Sequence, residues 1–159
     1  MHPIPQSSSK NLLQHQVADA VVIDVESHTG GVKFPIFINK VSAGFASPAD
    51  DYIEKALDLN ELLIQKPAAT FFVRAQGDSM IGVGIHPNDV LVVDRSIEPI
   101  DGKVVIASIN GELTVKTLVK NPDNTWKLQA ENRDYPDIAL TDELDLVIWG
   151  VVTSVVKRL

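Results

Sequence analysis

Asn110-Gly111 lies between two runs, Lys103 to Ile109 and Glu112 to Lys120, whose residues favour extended backbone. The pair readily takes the positive φ angles of a two-residue hairpin turn, so the flanking runs should lie antiparallel. From residue 70 onward the same arrangement repeats as short β-rich runs separated by turn signals. The candidate strands are Phe71 to Gln76, Val90 to Asp94, Lys103 to Ile109, Glu112 to Lys120, Trp126 to Ala130 and Leu146 to Val156. Asn121-Pro122-Asp123-Asn124 marks a second hairpin, and Pro87-Asn88-Asp89 a turn entering Val90. The pattern predicts a compact, mostly β domain of short antiparallel strands.

What precedes this region is different in character. Residues 1–31 mix Pro3, Pro5, a serine run and Gly30-Gly31 with one apolar patch, Val21-Val22-Ile23, and read as a flexible arm with room for one short strand. Lys33 to Asn39 is extended, and Pro35, which lacks a ladder donor, restricts it to an edge. Ser47-Pro48-Ala49-Asp50 has the chemistry of a helix start, with a capping serine, proline at the first helical position and acidic groups at the positive end of the dipole. A short helix is expected from there to about Leu57, with Tyr52, Ile53, Ala56 and Leu57 on one face. Leu59 to Ile64 should add another helical turn or two, stopped before Lys66-Pro67 because the residue preceding proline avoids the helical region.

At 159 residues the chain suits one domain and a tail. Its content of 45% hydrophobic and 22% charged residues is that of a soluble globular protein, and no apolar run approaches the ~20 residues that span a bilayer. Lys10 and Leu12-Leu13 are too polar and too short for the apolar part of a signal peptide, so a cytoplasmic location is expected. The absence of cysteine excludes disulfides, thiol catalysis and thiolate metal sites. His2, His15, His28 and His86 show no ligand spacing, so neither a metal nor a cofactor is expected. A net charge of −7 argues against a surface for duplex DNA and favours protein partners.

The chemistry centres on Gly77-Asp78-Ser79-Met80, a tight polar turn between the apolar run Phe71 to Val73 and a glycine-rich loop reaching Gly84. A serine presented where a strand ends is a candidate nucleophile, but its hydroxyl needs a base within hydrogen-bond reach. His86 has no aspartate pairing and suits a surface position beside Pro87. Lys116 is the other candidate. A free lysine is a cation at neutral pH, and burial penalises that charge. Strand alternation puts Leu113, Val115 and Val119 on one face and Thr114, Lys116 and Leu118 on the other, so composition alone makes Lys116 a solvated group on a hairpin face. By the same standard Gly77-Asp78-Ser79 is a turn and Ala43-Gly44 a loop.

Five blocks taken together decide otherwise. Gly77-Asp78-Ser79-Met80, Asp89 to Asp94, Gly111 to Lys116, Ala130-Glu131-Asn132-Arg133-Asp134-Tyr135 and Gly150-Val151-Val152 occur in the order found in the LexA and UmuD self-cleaving serine peptidases, peptidase family S24. The resemblance covers about residues 33–159. It is nearest on the UmuD side of the family, because Phe45 to Tyr52 and Asp58 to Ile64 resemble the stretch after the UmuD cleavage site. Residues 1–32 are too polar for the helix-turn-helix that a LexA repressor carries. Two features depart from the pattern: the arm before Lys33 is longer than is usual in UmuD, and alanine precedes the scissile glycine where some UmuD proteins have cysteine.

The resemblance implies a LexA- and signal-peptidase-like β domain over residues 44–159, preceded by an arm, residues 1–43, that self-cleavage removes. It implies Ser79 as nucleophile, Lys116 as base, backbone N–H groups of Asp78 and Ser79 as oxyanion donors, and Ala43-Gly44 as the scissile pair. It further implies RecA filaments on single-stranded DNA as activator during the SOS response. The shortened chain would form a homodimer and join UmuC in a translesion DNA polymerase. The competing readings are a non-catalytic protein-binding β module, a LexA-type repressor peptidase domain and a signal peptidase, the last requiring a membrane anchor.

Overall fold

The computed structural model describes residues 57–159 and, ahead of them, the backbone of three strands. The chain forms two compact units, one of residues Met1–Val25 and Lys66–Leu159, the other of Glu26–Gln65.

The larger unit is one eight-stranded sheet. In chain order its strands are β1 (Ala20–Ile23), β4 (Thr70–Ala75), β5 (Val90–Asp94), β6 (Val104–Ile109), β7 (Glu112–Lys120), β8 (Trp126–Gln129), β9 (Ile138–Ala139) and β10 (Leu146–Val156). Their spatial order is β1-β4-β5-β10-β6-β7-β8-β9, with antiparallel pairing throughout. The mostly β fold expected from the turn spacing is therefore the fold observed, with the six candidate strands in place to within a residue at either end. β10, the longest at 11 residues, sits in the middle and pairs with both β5 and β6. Register irregularities between Ile148 and Gly150 and between Val152 and Ser154 bend it so that it can serve both neighbours. Gly150 allows the closest approach: a Cβ there would lie 2.7 Å from Val93 Cγ1 and 3.1 Å from Asp94 O.

Both faces of the sheet are covered, which explains why its central strands read as continuous apolar runs rather than as alternation. On β6 the neighbours separate accordingly. Ile106 packs with Val73, Met80, Ile85, Leu91, Val93, Leu113 and Val115, whereas Val105 and Ala107 pack with Leu118, Leu128 and Val151. The turns follow the residue chemistry. Asn110 and Gly111 take φ of 50° and 84° between β6 and β7, and Asn124 takes 67° in the β7–β8 hairpin. Asn88, with φ of 74°, turns the chain into β5.

The smaller unit contains β2 (Phe34–Phe37) antiparallel to β3 (Ile53–Leu57), followed by helix α1 (Leu59–Leu63). The extended run with Pro35 is thus one strand of a two-stranded sheet, where every strand is an edge. The helix expected to run to Leu57 is corrected at its C-terminal end: Ile53–Leu57 is strand. A helix of two or three turns is marginal without packing, and backbone pairing with β2 satisfies the same groups. The Ser47-Pro48 start itself lies outside the described residues. Leu59–Leu63 is helical as expected, and Asp58 is its cap, accepting from Asn60 N–H at 2.9 Å.

Candidate active site

Ser79 lies in the loop joining β4 to β5. The loop is pinned at its base, where Ala75 N–H donates to Asp89 O at 2.8 Å and Asn88 N–H to Ala75 O at 2.9 Å. Gly77, with φ of 72°, turns the chain sharply off the end of β4. Met80 then inserts into the core at 2% exposure, while its carbonyl accepts from Val83 and Ile85 N–H. A buried side chain next to Ser79 thereby holds the serine in place, and Ser79 is itself only 3% exposed.

Lys116 reaches this loop from β7, where it stands opposite Val105 of β6. It is 4% exposed, so the solvated lysine that strand alternation alone suggested is not what the fold makes. The reason is that residues Leu113 to Leu118 are buried on both faces of β7. Its Nζ lies 3.2 Å from Ser79 Oγ, 2.8 Å from Thr114 Oγ1 and 3.1 Å from Val115 O. An ammonium can donate to all three oxygens. An unprotonated amine, with two N–H groups and one lone pair, can donate to some of these oxygens and accept a proton from a hydroxyl such as Ser79 Oγ–H.

A second loop, after β8, grips the serine turn. Asn132 Nδ2 donates to Asp78 O at 2.9 Å and Tyr135 Oη donates to Asp78 Oδ1 at 2.6 Å. Gly82 N–H donates to Glu131 O at 2.8 Å, and a Cβ on Gly82 would come within 2.5 Å of that oxygen, so only glycine permits this approach. A cleft bounded by Leu113, Thr114, Lys116, Tyr135, Pro136 and Ile138 runs beside the amine. Its walls are largely apolar. Thr114, Asn132 and Tyr135 carry no signal of a site role by themselves in the sequence, although all three fall within its five blocks, Thr114 in Gly111 to Lys116 and the other two in Ala130 to Tyr135.

His86 is exposed, and its ring Nδ1 lies 3.0 Å from Lys157 Nζ, at the end of β10. Its backbone N–H donates to Asp89 Oδ2 at 2.8 Å, and Lys157 forms an ion pair with the same carboxylate. Burial by itself would raise the Asp89 pKa. The hydrogen bonds from Lys157 and the His86 N–H, with their charges, outweigh it and hold the carboxyl below its ordinary range. This cluster secures the base of the serine loop. Among the described residues no group of three or more His, Asp or Glu side chains is placed to hold a metal, and no helix is long and apolar enough to cross a membrane. Ala43 and Gly44 lie outside the described residues, in the sequence between β2 and β3.

The antiparallel β domain and the serine turn facing a buried amine define a class, and comparison with known proteins gives it. Residues 35–153 match the model of the peptidase S24-like family. The chain belongs to that family of self-cleaving serine peptidases and is a UmuD-like member of it. It is 45% identical over 124 residues to protein ImpA of Salmonella typhimurium, covering 78% of this chain and 83% of ImpA. Protein SamA of Salmonella typhimurium is 47% identical over 124 residues, covering 78% and 85%. Protein MucA of Escherichia coli is 39% identical over 135 residues, covering 82% and 91%.

Proposed function

We propose that this protein cleaves its own chain between Ala43 and Gly44, with Ser79 as nucleophile and Lys116 as general base. Unprotonated Lys116 takes the Ser79 proton as Oγ attacks the Ala43 carbonyl carbon. The tetrahedral oxyanion is held by the backbone N–H groups of Asp78 and Ser79. On collapse the Ala43–Gly44 bond breaks and the proton passes from Lys116 to the departing Gly44 amine. Water, deprotonated by the same lysine, then hydrolyses the Ala43 ester and regenerates Ser79. The observation that carries this reading is the 3.2 Å approach of Lys116 Nζ to Ser79 Oγ between two side chains that are each nearly excluded from water.

Membership of the UmuD-like group supports the biological setting we propose. Cleavage is promoted by RecA filaments on single-stranded DNA in the SOS response, as a shift toward the arm conformation that presents Ala43 to Ser79. Residues 44–159 then form a homodimer in the cytoplasm and join UmuC in a translesion DNA polymerase, so that DNA contact comes through the partner. A net charge of −7 accords with that division of labour.

Purified protein held at alkaline pH, or mixed with activated RecA, should yield a fragment whose N-terminus is Gly44. Ser79→Ala and Lys116→Ala should each stop its appearance. An unchanged intact mass for the unsubstituted protein after long alkaline incubation would favour a binding module instead. Cleavage of Lys116→Ala at the unsubstituted rate would exclude lysine as the base.

A further inference from the structure

The loop after β8 holds Asp78 in a way that bears on the neighbouring peptide bond. Asn132 Oδ1 accepts from Asp134 N–H at 3.0 Å, and that bond settles which end of the amide is which. The other end, Nδ2, therefore faces Asp78 O and donates to it at 2.9 Å. Tyr135 N–H donates to Asn132 O at 3.1 Å and closes the same turn, while its phenol donates to the Asp78 side chain at 2.6 Å. Gly82 N–H, donating to Glu131 O, ties the far side of the serine loop to the same segment. Asp78 is thus gripped at its main-chain oxygen and at its carboxylate from one short stretch, residues 131–135.

The Asp78 carbonyl and the Ser79 N–H belong to one peptide unit, which is planar and trans. In such a unit the C=O and N–H point in opposite directions. A donor fixed on the oxygen therefore sets the direction of the N–H, and it also polarises that N–H as a donor. We infer that Asn132 is a positioning residue for self-cleavage: through Asp78 O it aims and polarises the Ser79 N–H at the oxyanion. Tyr135 supports it by restraining the Asp78 side chain. This inference rests on the reading of Ser79 as nucleophile and of its N–H as an oxyanion donor. It adds what holds that donor in place, from a segment 54 residues away in sequence.

Two reactions of Ser79 test it, because they share the oxyanion donor but differ in their need for the arm. One is self-cleavage. The other is phosphonylation by a small fluorophosphonate, in which the Oγ–P bond forms, the P–F bond breaks, the proton goes to Lys116 and fluoride leaves. Asn132→Ala should slow both by a similar factor, about 10- to 100-fold, less than direct removal of an oxyanion donor costs. The pH at which cleavage reaches half its maximal rate should stay where it is in the unsubstituted protein, since the amine and its partners are untouched. Tyr135→Phe should slow both reactions less. Asn132→Asp, which keeps the acceptor for Asp134 N–H and loses the donor to Asp78, is the second variant should the alanine disturb the turn; it too should slow both reactions.

Phosphonylation of folded Asn132→Ala at the unsubstituted rate would overturn the inference while leaving Ser79 as nucleophile. Unfolding of both Asn132 variants at the assay temperature would overturn it as well, by assigning the residue to the fold. Failure of the unsubstituted protein to label at Ser79, with cleavage persisting in Ser79→Ala, would remove Ser79 as the nucleophile and with it the reading on which the inference rests.

Discussion

Thr114 and Lys116 project from the same face of β7, and the Thr114 hydroxyl accepts a hydrogen bond from Lys116 Nζ at 2.8 Å. Successive side chains on a strand alternate between faces, so residues two apart are neighbours, and here the neighbour gives the buried amine a fixed bearing. Thr114→Val keeps the volume and removes the acceptor. Self-cleavage should slow about tenfold, the equivalent of roughly 1.4 kcal/mol in the barrier. First-order rates of fragment formation measure it, with the unfolding midpoint showing that the domain is intact.

Stability in acid should depend on Asp89. Its folded pKa is depressed by Lys157 and the His86 N–H against the opposing effect of burial. A depressed carboxylate contributes stability above its unfolded pKa, about 3.9, and that contribution is lost as pH falls through the lower folded value. Urea unfolding from about pH 6 to pH 2 should therefore show a decline in the unsubstituted protein that is shallower in Asp89→Asn, which is also less stable at neutral pH. Parallel pH profiles would remove Asp89 from this role.

Gly82→Ala places a methyl 2.5 Å from Glu131 O, a main-chain atom that cannot swing aside. The two loops must separate, and the Gly82 to Glu131 hydrogen bond goes with them. A loss of about 1–3 kcal/mol is expected in chemical denaturation, together with slower cleavage because the serine turn is no longer held.

Gly150→Ala disturbs the sheet without touching the serine loop. Its Cβ would meet Val93 Cγ1 at 2.7 Å, Asp94 O at 3.1 Å and Arg95 Cα at 3.2 Å, where β10 crosses β5. Destabilisation should be about 2 kcal/mol or more. An unfolding midpoint equal to that of the unsubstituted protein would show that β10 can shift to absorb the methyl.

Strands were legible where local chemistry and packing agree. Asn110-Gly111 marked its hairpin because few other pairs accept φ of 50° and 84° in succession. Leu146 to Val156 read as a strand from its apolar run, and it is one. Ile138–Ala139 is not legible in the sequence, because two residues at a sheet edge leave no periodicity to read. Ile53–Leu57 suits a helix on local grounds alone, since capping chemistry upstream and spacing on one face both point that way. What decided its state was a partner strand, β2, whose unpaired groups the segment satisfies.

The site divides the same way. Sequence by itself determined the succession of strands and turns, the serine on a tight turn, the lysine on a strand and, through the order of five blocks, the family to which they belong. It did not determine that Lys116 is buried, since alternation along β7 put that face in water. Only the tertiary structure decided this, by covering both faces of the sheet and bringing Ser79 to 3.2 Å from an amine 37 positions away. The grip of Asn132 and Tyr135 on Asp78 arises only there too. Hydrogen bonds between loops 54 and 57 residues apart leave no periodic trace in a chain, because they depend on where the sheet sets the ends of β4 and β8.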